Sequence, residues 1–249
     1  MRKGEFSVVL TEKNLNLEGT VLVTGFRGFG MVGYMVSKHL SLALKARKVG
    51  YIVSSPMPPV LLIEEDGAGF PYEIYFSEKA RTLIVVNRAI PEREHLDAYA
   101  SGLAKWAKSK GIGFAVLVGG LSKDFKPHNE KHGYRWISNR YYRGGKLEAP
   151  LMEPGLGVMG PLALLYIYMD YYKLPAIMIL PYSMVEEVDY DAALVGVNVI
   201  SEKILGIKPD TASLEEMAIR QKEEMEKTLK LLVEQQKRET SEEERGIYM

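Results

Sequence analysis

The chain has 249 residues, of which 47% are hydrophobic, so a single folded domain of this length can bury a sizeable core. Basic and acidic residues number 32 each, which excludes the net positive field that a general binder of nucleic acids or acidic membranes uses. The absence of cysteine excludes disulfides, thiolate metal sites and cysteine nucleophiles.

Short apolar runs alternate with longer segments of helical pattern, and this alternation predicts a layered α/β domain. The predicted strands cover residues 6–10, 20–24, 49–54, 81–86, 113–118 and 176–180. The predicted helices cover residues 31–47, 92–110, 161–172 and 190–205. Residues 60–63 and 70–76 look like a strand pair around the turn residues Asp66, Gly67 and Gly69, so we expect a mixed sheet.

The character of the chain changes near its C-terminal end. Residues 1–210 are the predicted core domain, and a capping box of Ser213 and Glu216 predicts a helix over residues 211–238. Residues 239–249 form a predicted flexible tail that ends on an apolar triplet. The helix carries a narrow stripe that fits either a core contact or a weak coiled-coil seam, made by Leu214, Ala218, Met225 and Leu232.

The start of the chain lacks the uninterrupted apolar run of a secretory signal. The most apolar stretch, residues 156–169, is too short to cross a bilayer and is interrupted by Gly157, Gly160 and Pro161. We therefore expect a soluble cytoplasmic protein without a membrane partner.

A glycine-rich turn lies between the second predicted strand and the first predicted helix. Gly28, Gly30 and Gly33 have the spacing of a dinucleotide-binding fingerprint, and Gly25 precedes them. The acidic residue that holds the ribose should end the next strand, but that strand ends in Val53-Ser54-Ser55. We favour a structural turn made by these four glycines over a cofactor site, and no cofactor is expected.

Other patterns in the chain resemble metal, catalytic or nucleic-acid-binding motifs, but a structural role explains each of them more simply. His128 and His132 lack the residue order of a zinc protease helix, so no metal site is predicted. The chain contains no nucleophile elbow, phosphate-binding loop or zincin motif, so the protein is not expected to be an enzyme. A set of interleaved basic and aromatic residues fits single-stranded nucleic acid or a protein interface, and we favour the interface: Arg135, Trp136, Arg140, Tyr141, Tyr142 and Arg143.

An ordered set of short motifs over residues 15–220 resembles the archaeal branch of the proteasome assembly chaperone family, related to the second chaperone of the eukaryotic pair. The set comprises the turn Gly25 to Gly33, Ser55-Pro56-Met57-Pro58-Pro59, Trp106-Ala107, Gly119-Gly120, Gly157-Val158-Met159-Gly160-Pro161-Leu162, Asp189-Tyr190-Asp191-Ala192-Ala193, Leu205-Gly206-Ile207 and residues 214–218.

The resemblance implies a three-layer α/β sandwich with a phosphorylase-like scaffold, self-association, with a tetramer as one option, and binding to the α-subunits of the proteasome core particle. The ending Ile247-Tyr248-Met249 fits the hydrophobic-tyrosine-any (HbYX) tail by which proteasome activators enter pockets between α-subunits. The expected function is that of an assembly factor or an ATP-independent activator. The alternative is an enzyme that binds a nucleoside or nucleotide on the same scaffold.

Overall fold

The computed structural model describes residues 5–12, 14–64 and 67–227. The chain falls into two units, Met1–Thr211 and Ala212–Met249. The strands of the first unit are β1 (Phe6–Leu10), β2 (Val21–Gly25), β3 (Arg47–Ser54), β4 (Leu62–Glu64), β5 (Gly67–Gly69), β6 (Tyr72–Ser77), β7 (Thr82–Asn87), β8 (Phe114–Val118), β9 (Leu121–Ser122), β10 (Tyr134–Ser138) and β11 (Ala176–Ser183). Its helices are α1 (Val32–Ala43), α2 (Leu96–Ser109), α3 (Pro161–Tyr171) and α4 (Tyr190–Asn198), which a π-helical segment, Val199–Ile204, continues.

Within the described residues, nine of the strands form one mixed sheet in the order β1-β3-β6-β7-β2-β8-β11-β10, with β9 beside β11. The central strands β7, β2, β8 and β11 are parallel, whereas β1, β3, β6 and β7 pair in an antiparallel manner and β10 runs antiparallel to β11. The predicted mixed sheet is confirmed.

Helices cover both faces of this sheet. Helices α2 and α3 pack together on one face, and α1 and α4 pack together on the other. The central strands alternate accordingly, because Leu22 and Leu117 belong to the core beneath α2 and α3, while their buried neighbours Val23 and Val116 point to the opposite side. The predicted three-layer α/β architecture is therefore confirmed.

The helix boundaries follow from local backbone chemistry. Gly160 adopts a positive φ of 77° and places Pro161 at the first position of α3, where proline loses no hydrogen bond. The Asp189 side chain accepts a hydrogen bond from the backbone N–H of Ala192 at 2.9 Å and so caps α4. Gly111, at a φ of 69°, reverses the chain after α2.

Two sequence predictions of secondary structure are wrong in detail. The first helix ends at Ala43 because Lys45 adopts a positive φ of 48° and β3 already begins at Arg47. The strand around residues 60–63 pairs with β5 rather than with residues 70–76. The latter residues form β6, whose two edges are occupied by β3 and β7, so no edge is left for a third partner.

The described part of the second unit is helical over residues 212–227. The rest of the predicted helix and the predicted tail lie outside the described residues, and the three-part division of the chain stays a prediction. Among the residues that the structure covers, no helix has both the length and the apolar character needed to cross a membrane.

Candidate functional site

The four parallel strands β2, β7, β8 and β11 end on the same side of the sheet, which we call the carboxyl edge. In open α/β sheets this edge is where binding sites are found. The glycine turn follows β2 there, and the loops after β7, β8 and β11 lie beside it. The candidate site is therefore built from the residues of these loops.

Gly25 and Gly33 bring three backbone segments into direct contact at this edge. A Cβ atom on Gly33 would lie 2.4 Å from the carbonyl oxygen of Val118 and 2.6 Å from that of Phe26. A Cβ atom on Gly25 would lie 2.5 Å from the Cα atom of Gly33. Because every one of these neighbours is backbone, no side-chain rotation can make room for a larger residue. The two glycines thus allow β2, α1 and β8 to meet.

Gly30 and Gly28 differ from each other. Gly30 adopts a φ of 60°, and a Cβ atom there would lie 2.8 Å from the Cβ atom of Ser183 and 3.0 Å from that of Asp189. Its carbonyl oxygen accepts a hydrogen bond from the N–H of Asp189 at 3.0 Å, which ties the turn to the start of α4. Around Gly28, by contrast, a Cβ atom would meet no heavy atom within 4 Å.

The sheet order argues against a dinucleotide at this turn. In a dinucleotide-binding fold the strand that follows the first helix lies next to the glycine strand and supplies the ribose-binding acid. Here that strand is β3, and β6 and β7 separate it from β2. At a spacing of about 4.8 Å per strand, the end of β3 lies about 14 Å away from the turn. The residues there are also Ser54 and Ser55 rather than an acid.

A buried polar network joins the ends of β2 and β7. The Asn87 side-chain amide donates hydrogen bonds of 2.9 Å to the Thr24 hydroxyl and to the Gly25 carbonyl. The amide oxygen accepts a hydrogen bond from the Tyr99 hydroxyl at 2.5 Å. Burial, with the nearby Tyr72, raises the pKa of Tyr99 well above its ordinary value, so this hydroxyl stays a donor. The network fixes the geometry of the edge and contains no activated nucleophile.

A second polar contact joins the loops after β8 and β11. The ammonium group of Lys123 lies 2.7 Å from the carboxylate of buried Asp189. Burial alone raises the pKa of Asp189, but the hydrogen bonds from Lys123 and from the N–H groups of Ala192 and Met184 bring it below its ordinary value. Asp189 is therefore ionised and serves to hold the loops together.

Beside the edge, Glu73 and Arg88 form an ion pair in which both side chains are buried. Lys48 also pairs with Glu73, and the Tyr75 hydroxyl donates a hydrogen bond of 2.8 Å to it. Burial raises the pKa of Glu73, but the hydrogen bond from Lys48, with those from Phe70 and Tyr75 and the charge of Arg88, lowers it below its ordinary value. This cluster is not visible in the sequence, because its charges come from three separate strands and loops.

The basic and aromatic residues of 135–143 do not form one surface. Arg135 is buried and pairs with Glu130 at 2.8 Å and Glu153 at 2.6 Å. Trp136 is buried as well and donates its indole N–H to the carbonyl of Ala149 at 2.7 Å. Both side chains are buried and form their polar contacts inside the protein. Neither is therefore available to contact a nucleic acid or another protein. Strand β10, which contains them, pairs with β11.

Exposed apolar side chains follow each of the four parallel strands. They are Phe29 after β2, Ile90 after β7, Phe125 after β8 and Val185 after β11. All four side chains lie in loops at the carboxyl edge of the sheet. The predicted docking residues Ile247, Tyr248 and Met249 lie outside the described residues.

The family model for the "PAC2 family" matches residues 22–229, which is most of the chain. The chain belongs to the PAC2 family. No curated protein matches the sequence. The matched residues include the glycine turn, the whole carboxyl edge and the first part of the helix that begins at residue 212. The resemblance drawn from the short motifs is thereby confirmed at the level of the family.

Several solved structures share the fold of this PAC2 protein. Pyrococcus furiosus PbaA, described as an archaeal homolog of proteasome-assembly chaperone, matches with a TM-score of 0.76 and 18% identity over 98% of this chain and 99% of that one. P. furiosus PbaB, described as an archaeal proteasome activator, matches with a TM-score of 0.72 and 20% identity over 90% of this chain and 99% of that one. A Thermoplasma acidophilum protein of unknown function matches with a TM-score of 0.70 and 19% identity over 91% of this chain and 93% of that one.

Proposed function

We propose that this protein binds the α-subunits of the proteasome core particle and acts as an assembly factor or an ATP-independent activator, without catalysis of its own. The observation that carries the proposal is its PAC2 membership together with a fold shared with PbaA and PbaB. Asn87 and Asp189 at the carboxyl edge form structural hydrogen bonds, and the proposal assigns them no catalytic part.

The C-terminal residues Ile247, Tyr248 and Met249 are the proposed contact with the core particle. Ile247 and Tyr248 supply apolar area, the phenol supplies a hydrogen bond, and the terminal carboxylate is suited to a cationic partner. Several tails on one oligomer raise a weak affinity through effective concentration. In this arrangement the tail contacts the core particle, and the folded body holds several tails together.

Tyr248→Ala is expected to weaken binding to the core particle by about 2 kcal/mol or more per engaged tail, since a buried tyrosine is a typical hot spot. Surface plasmon resonance against immobilised α-rings measures the effect. One extra residue after Met249 is expected to weaken binding as well, because it displaces the terminal carboxylate.

The matched control for this test is Glu243→Gln, which changes one charge ahead of the apolar triplet and leaves Ile247, Tyr248 and Met249 intact. Its affinity is expected to equal that of the unaltered protein. Equal binding by the full chain and by a form ending at Gly246 would remove the tail from the mechanism.

Self-association is the second part of the proposal, and α3 supplies a surface for it. Its outer face carries Ile167 and Tyr171 at helical spacing, and these two side chains are 57% and 71% exposed. Its inner face is buried by Leu162, Leu165 and Met169. A helix that is apolar on both faces is typical of a buried helix, so we assign the outer face to a second copy of the chain.

Ile167→Lys is therefore expected to shift the protein to a monomer of 28.0 kDa. The unaltered protein is expected to scatter light as a multiple of that mass. Leu42→Lys is the matched control, because Leu42 is 61% exposed and lies on α1, on the opposite face of the sheet. A monomeric unaltered protein at micromolar concentration would contradict self-association, and an Ile167→Lys variant that stays oligomeric would exclude this face.

A further inference from the structure

The loop between β7 and α2 gathers three groups that ligate metals. Glu92, Glu94 and His95 each offer one ligand atom, and these atoms all lie within 4.8 Å of one another. A short 3₁₀ turn, Arg93–His95, produces this arrangement and leads directly into α2. The turn is closed by a hydrogen bond of 2.8 Å from the N–H of His95 to the carbonyl of Glu92. The group differs from His128 and His132, the histidines whose spacing draws attention in the sequence.

His95 differs from the two glutamates in its environment. Only 5% of the residue is exposed, and its Nε2 atom has no hydrogen-bond partner within the described part of the chain. That atom faces the carboxylate of Glu94, whose Oε1 atom lies 3.9 Å away. A buried imidazole nitrogen without a partner is unfavourable unless something coordinates it. The side chain is thus held in place by packing and aimed at the carboxylates.

We propose that Glu92, Glu94 and His95 bind a divalent first-row transition ion, Zn²⁺ foremost. Imidazole suits zinc and its neighbours in the series, whereas Mg²⁺ and Ca²⁺ prefer sites made of oxygen alone. At metal–ligand distances of about 2.1 Å, tetrahedral ligand atoms lie about 3.4 Å apart. The 3.9 Å separation of the imidazole and the Glu94 carboxylate therefore has to close only slightly.

The exposure of the ligands allows this closure. The Glu94 side chain is 66% exposed and Glu92 is exposed, so a movement of either carboxylate towards the imidazole takes place at the surface and not in the core. Three protein ligands leave a coordination position for water. The ion would fix the short turn Arg93–His95 that leads into α2.

The test uses the full-length protein after treatment with a chelator, with titration calorimetry for Zn²⁺ and the visible spectrum of bound Co²⁺ as readouts. One ion per chain is expected, with the Co²⁺ absorption of a site that contains nitrogen and oxygen ligands. Glu92→Gln and Glu94→Gln are each expected to weaken Zn²⁺ binding by about tenfold or more, since even outer partners of a metal site change affinity by this much.

These two variants keep the size of the side chain and lie at the surface, so they test the site without the risk of unfolding. His95→Gln is expected to abolish the Co²⁺ spectrum, with circular dichroism as the check on folding. The matched control is the double variant His128→Gln and His132→Gln, which is expected to bind Zn²⁺ as the unaltered protein does. The proposal is overturned if the unaltered protein binds no Zn²⁺ at metal concentrations up to about 100 μM, which already corresponds to a weak affinity, or if binding survives both glutamate substitutions unchanged.

Discussion

Gly33→Ala is expected to destabilise the protein by more than about 4 kcal/mol, which is a large fraction of the total stability of a folded domain. The added Cβ atom would lie 2.4 Å from the Val118 carbonyl oxygen and 2.7 Å from the Phe26 nitrogen. Relief requires β2, β8 or the start of α1 to move, and all three are packed in the centre of the sheet. Urea unfolding followed by circular dichroism measures the loss, and absence of soluble protein counts as the same result.

Gly28→Ala is the matched control, because the same methyl group would meet no heavy atom within 4 Å there. Its expected effect on the free energy of unfolding is within about 0.5 kcal/mol. The comparison tests whether the fold requires glycine at position 33 but not at position 28, although both positions match the spacing of the dinucleotide-binding fingerprint. A Gly28→Ala variant as unstable as Gly33→Ala would contradict this interpretation of the turn.

Glu73→Gln is expected to cost about 3–5 kcal/mol of stability at neutral pH, since it leaves the buried Arg88 guanidinium without its carboxylate. The amide keeps the shape of the side chain, so the loss reports the charge rather than a cavity. Glu78→Gln is the matched control, because Glu78 pairs with Arg47 at 3.2 Å but its side chain is 75% exposed. We expect a change below about 0.5 kcal/mol there.

The same variant also changes how stability depends on pH. The folded-state pKa of Glu73 lies below its ordinary value of 4.5, so the unfolded chain takes up the proton first on acidification. The contribution of the carboxylate is therefore complete above about pH 4.5 and is lost as the pH falls through the folded-state pKa. Stability measured between about pH 5 and about pH 3 should fall less steeply for Glu73→Gln than for the unaltered protein.

The layered architecture could be predicted from the sequence because it depends on local pattern. The runs that form β2, β8 and β11 are continuous and apolar, as buried parallel strands must be, and Pro161 and Gly111 mark helix ends by their own backbone preferences. The order of the strands in the sheet could not be predicted in this way. Nothing near β3 indicates that it lies beside β1 and β6 rather than beside β2, because pairing is decided by the whole sheet.

The roles of individual residues divide in the same way. The close approach at Gly25 and Gly33 is expected from a tight strand-to-helix turn, whereas the open space at Gly28 depends on atoms far away in sequence. Arg135 has polar and aromatic neighbours in the sequence, which are typical of a surface cation. Its partners Glu130 and Glu153 come from the flanking loops, and only the fold brings them to it. Charges that pair through the fold leave no local pattern.

The position of β2 affects the order in which the molecule can assemble during synthesis. This strand is central, and its Val21 pairs with Thr82 on one side and Phe114 on the other. Both partners are translated long after β2 itself, so the strand waits with two open hydrogen-bonding edges while the ribosome adds the residues that follow it. The antiparallel strands β3, β6 and β7 are made in between and can pair among themselves first. The apolar strand β2 thus keeps one edge unpaired in the nascent chain until β8 has been translated.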